Sequence, residues 1–413
     1  MMRCRRKKLK ESAFLVLSFA ALGATIGALT VILSMAVDGA TTLFSICPSL
    51  VWFLPVAGFA SYGLYRVLRL DFSWSTARVM EAVRTNDAVP FSLVIAVIAG
   101  TALTVLCGGS VGKEAAALQM GVAVCAVFRG RVISRYRSLL ARASMASALG
   151  AMLGAPLAGV VFCFESLREK PESARHVVLP LVSSVVAWAI VLAADVTFIE
   201  SPAFPALDDF VGVSVIPMLA IGIGAAFLSM LFCNALAILR RGLAWLGAPV
   251  FALAVGGVVT ALILGYANLF HYEELYAYCG TGVNQIDSAL NGGGLPWWSF
   301  LIKAALTLLT LSGGFKGGEI MPVLAIGACF GEATFMLADY VCDGGFVSLN
   351  LVLVEVGMVS FFAACSNCPL TALVMCFELF GIKSVLFSVL PAVIAYLLSR
   401  SSSLYPTTIK STS

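Results

Sequence analysis

The sequence predicts an all-α polytopic membrane protein built from two related halves. Three observations predict it. Of the 413 residues 60% are hydrophobic and only 12% charged, with a mean hydropathy of +0.99; a soluble domain carries about 25% charged residues. Apolar runs long enough to cross the hydrocarbon core recur at 13–35, 51–65, 91–107, 178–194, 213–236, 249–266 and 385–398. A glycine-rich break carrying an acid occurs twice, each time followed by the same proline-and-glutamate pattern.

The first apolar run follows Arg3, Arg5, Arg6, Lys7, Lys8 and Lys10. It is longer than a signal-peptide core and no small-x-small cleavage site leads into a soluble domain, so it is read as a retained helix. The basic residues place the N-terminus in the cytoplasm, and the clusters from Arg129 to Arg142, Arg168 to Arg175, and at Arg240 and Arg241 mark further cytoplasmic loops. The net charge of +4 is therefore topological, and no nucleic-acid partner is expected. Most of the 12 cysteines, such as Cys125, Cys163, Cys233, Cys329 and Cys376, lie inside apolar runs and act as small apolar side chains. Cys365 and Cys368 have CxxC spacing, but their apolar setting favours packing over redox or zinc chemistry. With only His176 and His271, neither a metal site nor a cofactor is called for.

The repeat gives the organisation. Gly154-Ala155-Pro156-Leu157-Ala158 is followed nine positions after its proline by Glu165, and Asn367-Cys368-Pro369-Leu370-Thr371-Ala372 nine after its proline by Glu378. Upstream lie Gly108-Gly109-Ser110-Val111-Gly112-Lys113-Glu114 and Gly313-Gly314-Phe315-Lys316-Gly317-Gly318-Glu319. Matching breaks in two halves point to a binding site where the repeats meet. The expected division is a basic tail at 1–11, a first repeat at 12–205, a second at 206–399 and a short C-terminal helix or tail at 400–413. Polar loops are expected near 200–210, with Pro202, Pro205 and two aspartates, and from Asn268 to Trp298.

Each break should start a fresh helix, at Ala115 onward and, with Pro322 in its first turn, at Ile320 onward. Irregular backbone at membrane depth survives only where protein or a water-filled cavity satisfies it. Helices that begin there aim free N–H groups and positive dipole ends into the cavity, which suits a small anion. Glu114 and Glu319 stand at these helix heads. A charge at mid-membrane costs about 2.5–3.5 kcal/mol on insertion scales, offset if the carboxylate fills the anion site. Such a side chain can swing aside for an arriving anion and carry a proton; a plain N-cap is the simpler alternative. Lys113 either steers anions or snorkels. Glu165 and Glu378 should make structural hydrogen bonds, and Glu332 and Glu355 are read as structural.

At these residues the chain resembles the CLC family of anion channels and anion/proton antiporters, over nearly its whole length. Gly112-Lys113-Glu114 resembles that family's Gly-Lys/Arg-Glu-Gly-Pro motif, with Ala115 and Ala116 in place of Gly-Pro. Gly154 to Gly159 and Pro369-Leu370-Thr371 are similar to its paired Ala-Pro-Leu segments. Ser312 to Pro322 fills its Gly-x-Phe-x-Pro position, with Ile320 replacing phenylalanine. Tyr405, in Ser403-Leu404-Tyr405-Pro406, resembles the tyrosine that closes the inner end of the anion path. The resemblance implies the CLC fold, two inverted repeats with broken and re-entrant helices, in a homodimer with one pore per subunit and no cytoplasmic CBS domains.

Two departures bear on subtype. Ser166 stands where the family's chloride/proton antiporters carry an internal glutamate, and Glu319 adds an acid to the other break. Gly314-Phe315-Lys316-Gly317-Gly318-Glu319 resembles the fluoride-exporting branch, although Met321 replaces that branch's threonine and its early Asn or Met is absent. The anion-coordinating serine falls on Ser73 or Ser75, with Ser75 preferred, and Trp74 either narrows the inner mouth or, the preferred reading, anchors at the interface. The resemblance thus implies Glu114 and Glu319 as gate and proton relay, with Ser75, Gly112, Ala115, Ala116, Gly318, Ile320, Met321 and Tyr405, and the amide of Ala117, holding the anion. The expected function is halide/proton antiport across the inner or plasma membrane, with fluoride placed ahead of chloride. A passive chloride channel is the alternative. An intramembrane enzyme is the outsider, and the Ser/His, paired-Asp or His/Glu constellation it needs is not visible in the apolar segments.

Overall fold

The computed structural model describes residues 2–128, 130, 133–196, 199, 202, 215–269, 273–341, 349–405 and 408. Among these residues sixteen α-helices follow one another, joined by short 3-10 turns and loops. The first half comprises α1 (Met2–Ile46), α2 (Leu54–Val67), α3 (Thr76–Thr85), α4 (Leu93–Leu106), α5 (Glu114–Val124), α6 (Arg137–Leu153), α7 (Pro156–Glu165) and α8 (Ala174–Ala193). The second comprises α9 (Val215–Ala244), α10 (Pro249–Leu269), α11 (Val283–Leu290), α12 (Ser299–Ser312), α13 (Ile320–Val341), α14 (Asn350–Ser366), α15 (Pro369–Phe380) and α16 (Ile382–Ser399). Among the described residues seven stretches are long and apolar enough to cross a membrane, and the protein is a multi-pass membrane protein.

The repeat is visible element by element. α4 and α5 flank the first break as α12 and α13 flank the second. α6 stops at Gly154 and α14 at Asn367, both in the left-handed conformation, and Pro156 and Pro369 then open α7 and α15 at the position where a missing N–H does no harm. α8 and α16 each carry an interior proline, Pro180 and Pro391. α6 packs on α5, α7 and α8, and α14 on α13, α15 and α16. Every residue of α5 and all of α14 after Asn350 is buried, as a helix apolar on all sides requires.

The halves lock through Glu165 and Glu378. Glu378 on α15 accepts the Leu157 and Ala158 amides of α7 at 2.8 and 2.7 Å. Glu165 on α7 accepts the Leu370 and Thr371 amides of α15 at 2.9 and 2.7 Å, and the Thr371 hydroxyl at 2.6 Å. Each carboxylate caps the other half's helix at its positive end.

Several expectations shift. α1 reaches back to Met2, so residues 2–11 continue as helix into the first apolar run, and forward to Ile46. The run at 91–107 yields only the 14 residues of α4, because Gly108 takes a positive φ of 78°. Within the loop expected from Asn268 to Trp298, the described residues form a 3-10 turn at Glu273–Tyr278 and α11. The expected division between halves at 205, Pro205 and its aspartates, His271, Pro406 and the tail at 409–413 lie outside the described residues.

Candidate functional site

The two breaks meet. Gly112 N–H donates to Gly318 C=O at 2.6 Å and Gly318 N–H to Gly112 C=O at 2.7 Å, a two-bond antiparallel bridge that pins the heads of α5 and α13 together. The first backbone bonds beyond the heads are Ala117 N–H to Lys113 C=O and Val323 N–H to Glu319 C=O. The amides of Glu114, Ala115, Ala116, Ile320 and Met321 therefore precede the intrahelical ladders, and Pro322 has none to place. This corrects the expected donor set. Gly112 and Gly318 spend their N–H groups on each other, and Ala117 spends its own inside α5, so these three shape the nest without donating to it.

Glu114 lies in that nest, fully buried. The amides facing its carboxyl are its own and that of Met321, from the other half, and neither oxygen closes a hydrogen bond of normal geometry with the protein. Beside it Lys113 neither snorkels nor stands free. Its buried ammonium donates to Ser34 Oγ at 2.7 Å and to both oxygens of Asp38 at 2.8 and 3.0 Å, tying the break to α1. Lys113, Asp38, Thr41, Asn284 and Met321 line a cavity of about 210 Å³.

A second cavity of about 430 Å³ reaches the other side of the bridge. α1 crosses from the N-terminus and the stretch Pro48–Val67 returns, so the loop at 68–75 that lines this cavity lies on the N-terminal face and the first cavity opens to the far face. Glu319, Thr76, Gln119, Arg240, Lys316 and Gly317 all line it. The buried Glu319 carboxyl accepts from Thr76 Oγ1 at 3.3 Å, and Thr76 Oγ1 accepts from Gln119 Nε2 at 3.1 Å. Arg240 on α9 lends it a positive charge. The Tyr405 hydroxyl lies beside it without closing a hydrogen bond of normal geometry, while the Tyr405 ring packs edge-on to Phe162 at 6.1 Å. Lys316 donates to Phe72 C=O at 2.6 Å and Trp74 C=O at 3.1 Å and sits 3.8 Å over the Phe72 ring.

Ser75 caps α3, its hydroxyl accepting the Arg78 amide at 3.4 Å, while Ser73 is engaged by the Arg78 guanidinium. An N-cap hydroxyl keeps its own proton to donate, so Ser75 is the better placed of the two. Trp74 lines the cavity with Arg78 stacked 4.6 Å over its ring. At the mouth, the Ser73 amide and hydroxyl hold the Asp71 carboxyl below its usual range, with Arg78 and Lys316 contributing. Ser166 is fully buried. Glu332 accepts the Leu295 amide at 3.0 Å, a structural contact, and Glu355 is buried within α14.

Sequence reasoning missed Asp38, Thr76 and Gln119, and read Arg240 as part of a loop, whereas it stands on α9 and lines the cavity. Gln119 alone carried a local signal, a lone polar residue in an otherwise apolar stretch. Thr76 meets Glu319 across 243 positions, and no short-range pattern announces that.

Comparison with known proteins gives the same architecture. The family described as voltage gated chloride channel matches residues 57–400. A chloride/fluoride channel protein of Pseudomonas syringae pv. tomato (strain ATCC BAA-871 / DC3000) is 29% identical over 397 residues, covering 92% of this chain and 82% of that protein. The crystal structure of a CLC-type fluoride/proton antiporter superposes with a TM-score of 0.85 at 24% identity, covering 97% of this chain and 98% of the other. A slow cyanobacterial Cl-/H+ antiporter superposes with a TM-score of 0.78 at 18% identity, covering 94% of each.

Proposed function

Because this chain belongs to the voltage gated chloride channel family, we propose that it is a halide/proton antiporter, exporting fluoride in preference to chloride. The observation that carries the reading is the bridged pair of helix heads with the Glu114 carboxyl lodged between them. Free amides of Glu114, Ala115, Ala116, Ile320 and Met321 converge where water is scarce, and there their attraction for an anion is strong. A halide entering the nest displaces the Glu114 carboxyl toward the far-face cavity, where it takes up a proton. The carboxyl returns when the halide leaves, so one side chain acts as gate and proton relay.

Glu319 is the second acid of the route. It borders the N-terminal-face cavity, while Glu114 is buried behind Lys113 and Met321, which line the far-face one. With Ser166 at the position of the missing internal glutamate, Glu319 supplies the titratable group that proton transfer needs. Ser75 and Tyr405 line the inner end of the anion path. The preference for fluoride draws on the relative described as a chloride/fluoride channel protein and on the Gly-Phe-Lys-Gly-Gly-Glu break. The basic N-terminus supports an N-terminal face on the cytoplasmic side of a cell membrane, and resemblance supports a homodimer with one path per chain.

The test is flux from proteoliposomes. Fluoride should leave faster than chloride and drive protons uphill, and Glu319→Gln should abolish proton movement. Anion efflux with no proton movement in the wild type would favour the passive channel. Equal passage of both ions, with Glu319→Gln behaving as wild type, would overturn the subtype.

A further inference from the structure

Glu319 has to satisfy two opposite demands in one buried place. As a carboxylate it needs a donor; as a carboxylic acid it becomes a donor and needs an acceptor. A buried polar group whose partner cannot change sign is left unsatisfied in one of its two states, and a missing hydrogen bond there is costly. The chain that ends on Glu319 has no such defect. Gln119 Nε2 donates to Thr76 Oγ1, which fixes the hydroxyl proton toward Glu319 Oε2. When Glu319 is protonated the chain can run backward: its O–H donates to Thr76, whose proton turns to the carbonyl oxygen of Gln119 after a rotation of the amide. Hydroxyl and carboxamide are side chains that offer both a donor and an acceptor.

We infer that Thr76 and Gln119 are positioning residues forming a reversible hydrogen-bond chain that lets Glu319 gain and lose its proton without leaving the N-terminal-face cavity. No bond to carbon, nitrogen or oxygen other than O–H is made or broken; the proton on Glu319 comes from and returns to water in the cavity that all three residues line. The chain also ties α13's head to α5, the helix that Glu114 opens, through α3. All three side chains are more than nine-tenths buried, so water does not readily substitute for the missing partner. Two of the other groups facing Glu319 serve one state only. Arg240 from α9 is a fixed positive charge that favours the carboxylate, and Lys316, on the same cavity, is occupied by two carbonyls. Tyr405 lies beside the carboxyl.

The inference rests on the antiport reading, and its test separates the two. Anion efflux and the proton-to-anion ratio are measured in proteoliposomes for wild type, Thr76→Val, Thr76→Ser, Gln119→Leu and Gln119→Glu. Thr76→Val and Gln119→Leu should keep anion efflux within about threefold of wild type while the ratio falls roughly tenfold, the scale of one lost charge-assisted hydrogen bond. Thr76→Ser, which retains the hydroxyl, should restore the ratio. Gln119→Glu, which loses the amide donor, should not. A wild type that moves no protons removes the antiport reading and this inference with it. A wild type that couples, with Thr76→Val coupling equally, removes the inference alone. So does loss of anion efflux and coupling together in both Thr76→Val and Gln119→Leu, because a positioning role leaves the anion path open.

Discussion

A methyl group at Gly112 would lie 2.5 Å from Glu114 Oε2, 2.9 Å from Met321 Cβ and 3.0 Å from Pro322 Cδ. Glycine is needed there because both halves and the gating carboxyl converge on one Cα. Its neighbour across the bridge, Gly317, adopts a φ of 150° and faces Val111 just as closely. Gly112→Ala should therefore lower the thermal midpoint in detergent by an amount equivalent to about 1–3 kcal/mol of overpacking, with halide efflux falling sharply. The Glu114→Ala background removes the nearest of the three contacts while leaving the two from α13. There the same alanine should cost less, since residues in contact are not additive. Equal penalties in both backgrounds would mean that the Glu114 carboxyl does not rest over Gly112.

At the scale of elements, the exchanged caps of α7 and α15 make an unequal pair. Both glutamates accept two amides, but only Glu165 also receives a hydroxyl, from Thr371, because Ala158 stands at the matching position of the first half. Glutamine offers one acceptor oxygen where the carboxylate offers two and turns an NH2 toward amide donors, losing on the order of 1.5–3 kcal/mol. Glu165→Gln should thus lower the thermal midpoint more than Glu378→Gln, and the gap should close in a Thr371→Ala background. A larger loss from Glu378→Gln would contradict the assigned partners. These elements also show what a sequence conveys. The broken helices, the paired prolines and the capping acids were legible because glycine, proline and charge are costly inside an apolar run unless they break a helix, start one or line a cavity. The partners were not. That Glu165 reaches the second half, that Lys113 reaches Asp38 on α1, and that the bridge consumes the Gly112 and Gly318 amides follow from how the halves pack. Spacing along the chain carries no trace of it. α11 was missed for a related reason: eight residues with Asn284, Gln285 and Asp287 read as loop until α13 and α14 pack on them.

For the whole molecule, the direction of transport depends on which face is which. The two cavities differ in size and lining: Glu319 lines the one on the N-terminal face, while Lys113 and Met321, beside the buried Glu114, line the other. Cys47, which follows α1 on the far face, is exposed, while the other cysteines with described side chains are buried or half-buried. A membrane-impermeant maleimide added to intact cells should label Cys47, and Cys47→Ser should remove that labelling. Ser73→Cys in a Cys47→Ser background places an exposed thiol on the loop between α2 and α3, on the N-terminal face. It should react only after the membrane is opened. The opposite pattern would put the basic N-terminus outside. Glu319 would then meet the exterior first and Glu114 the cytoplasm, and the proposed exporter would load its halide at what is here taken as the exit.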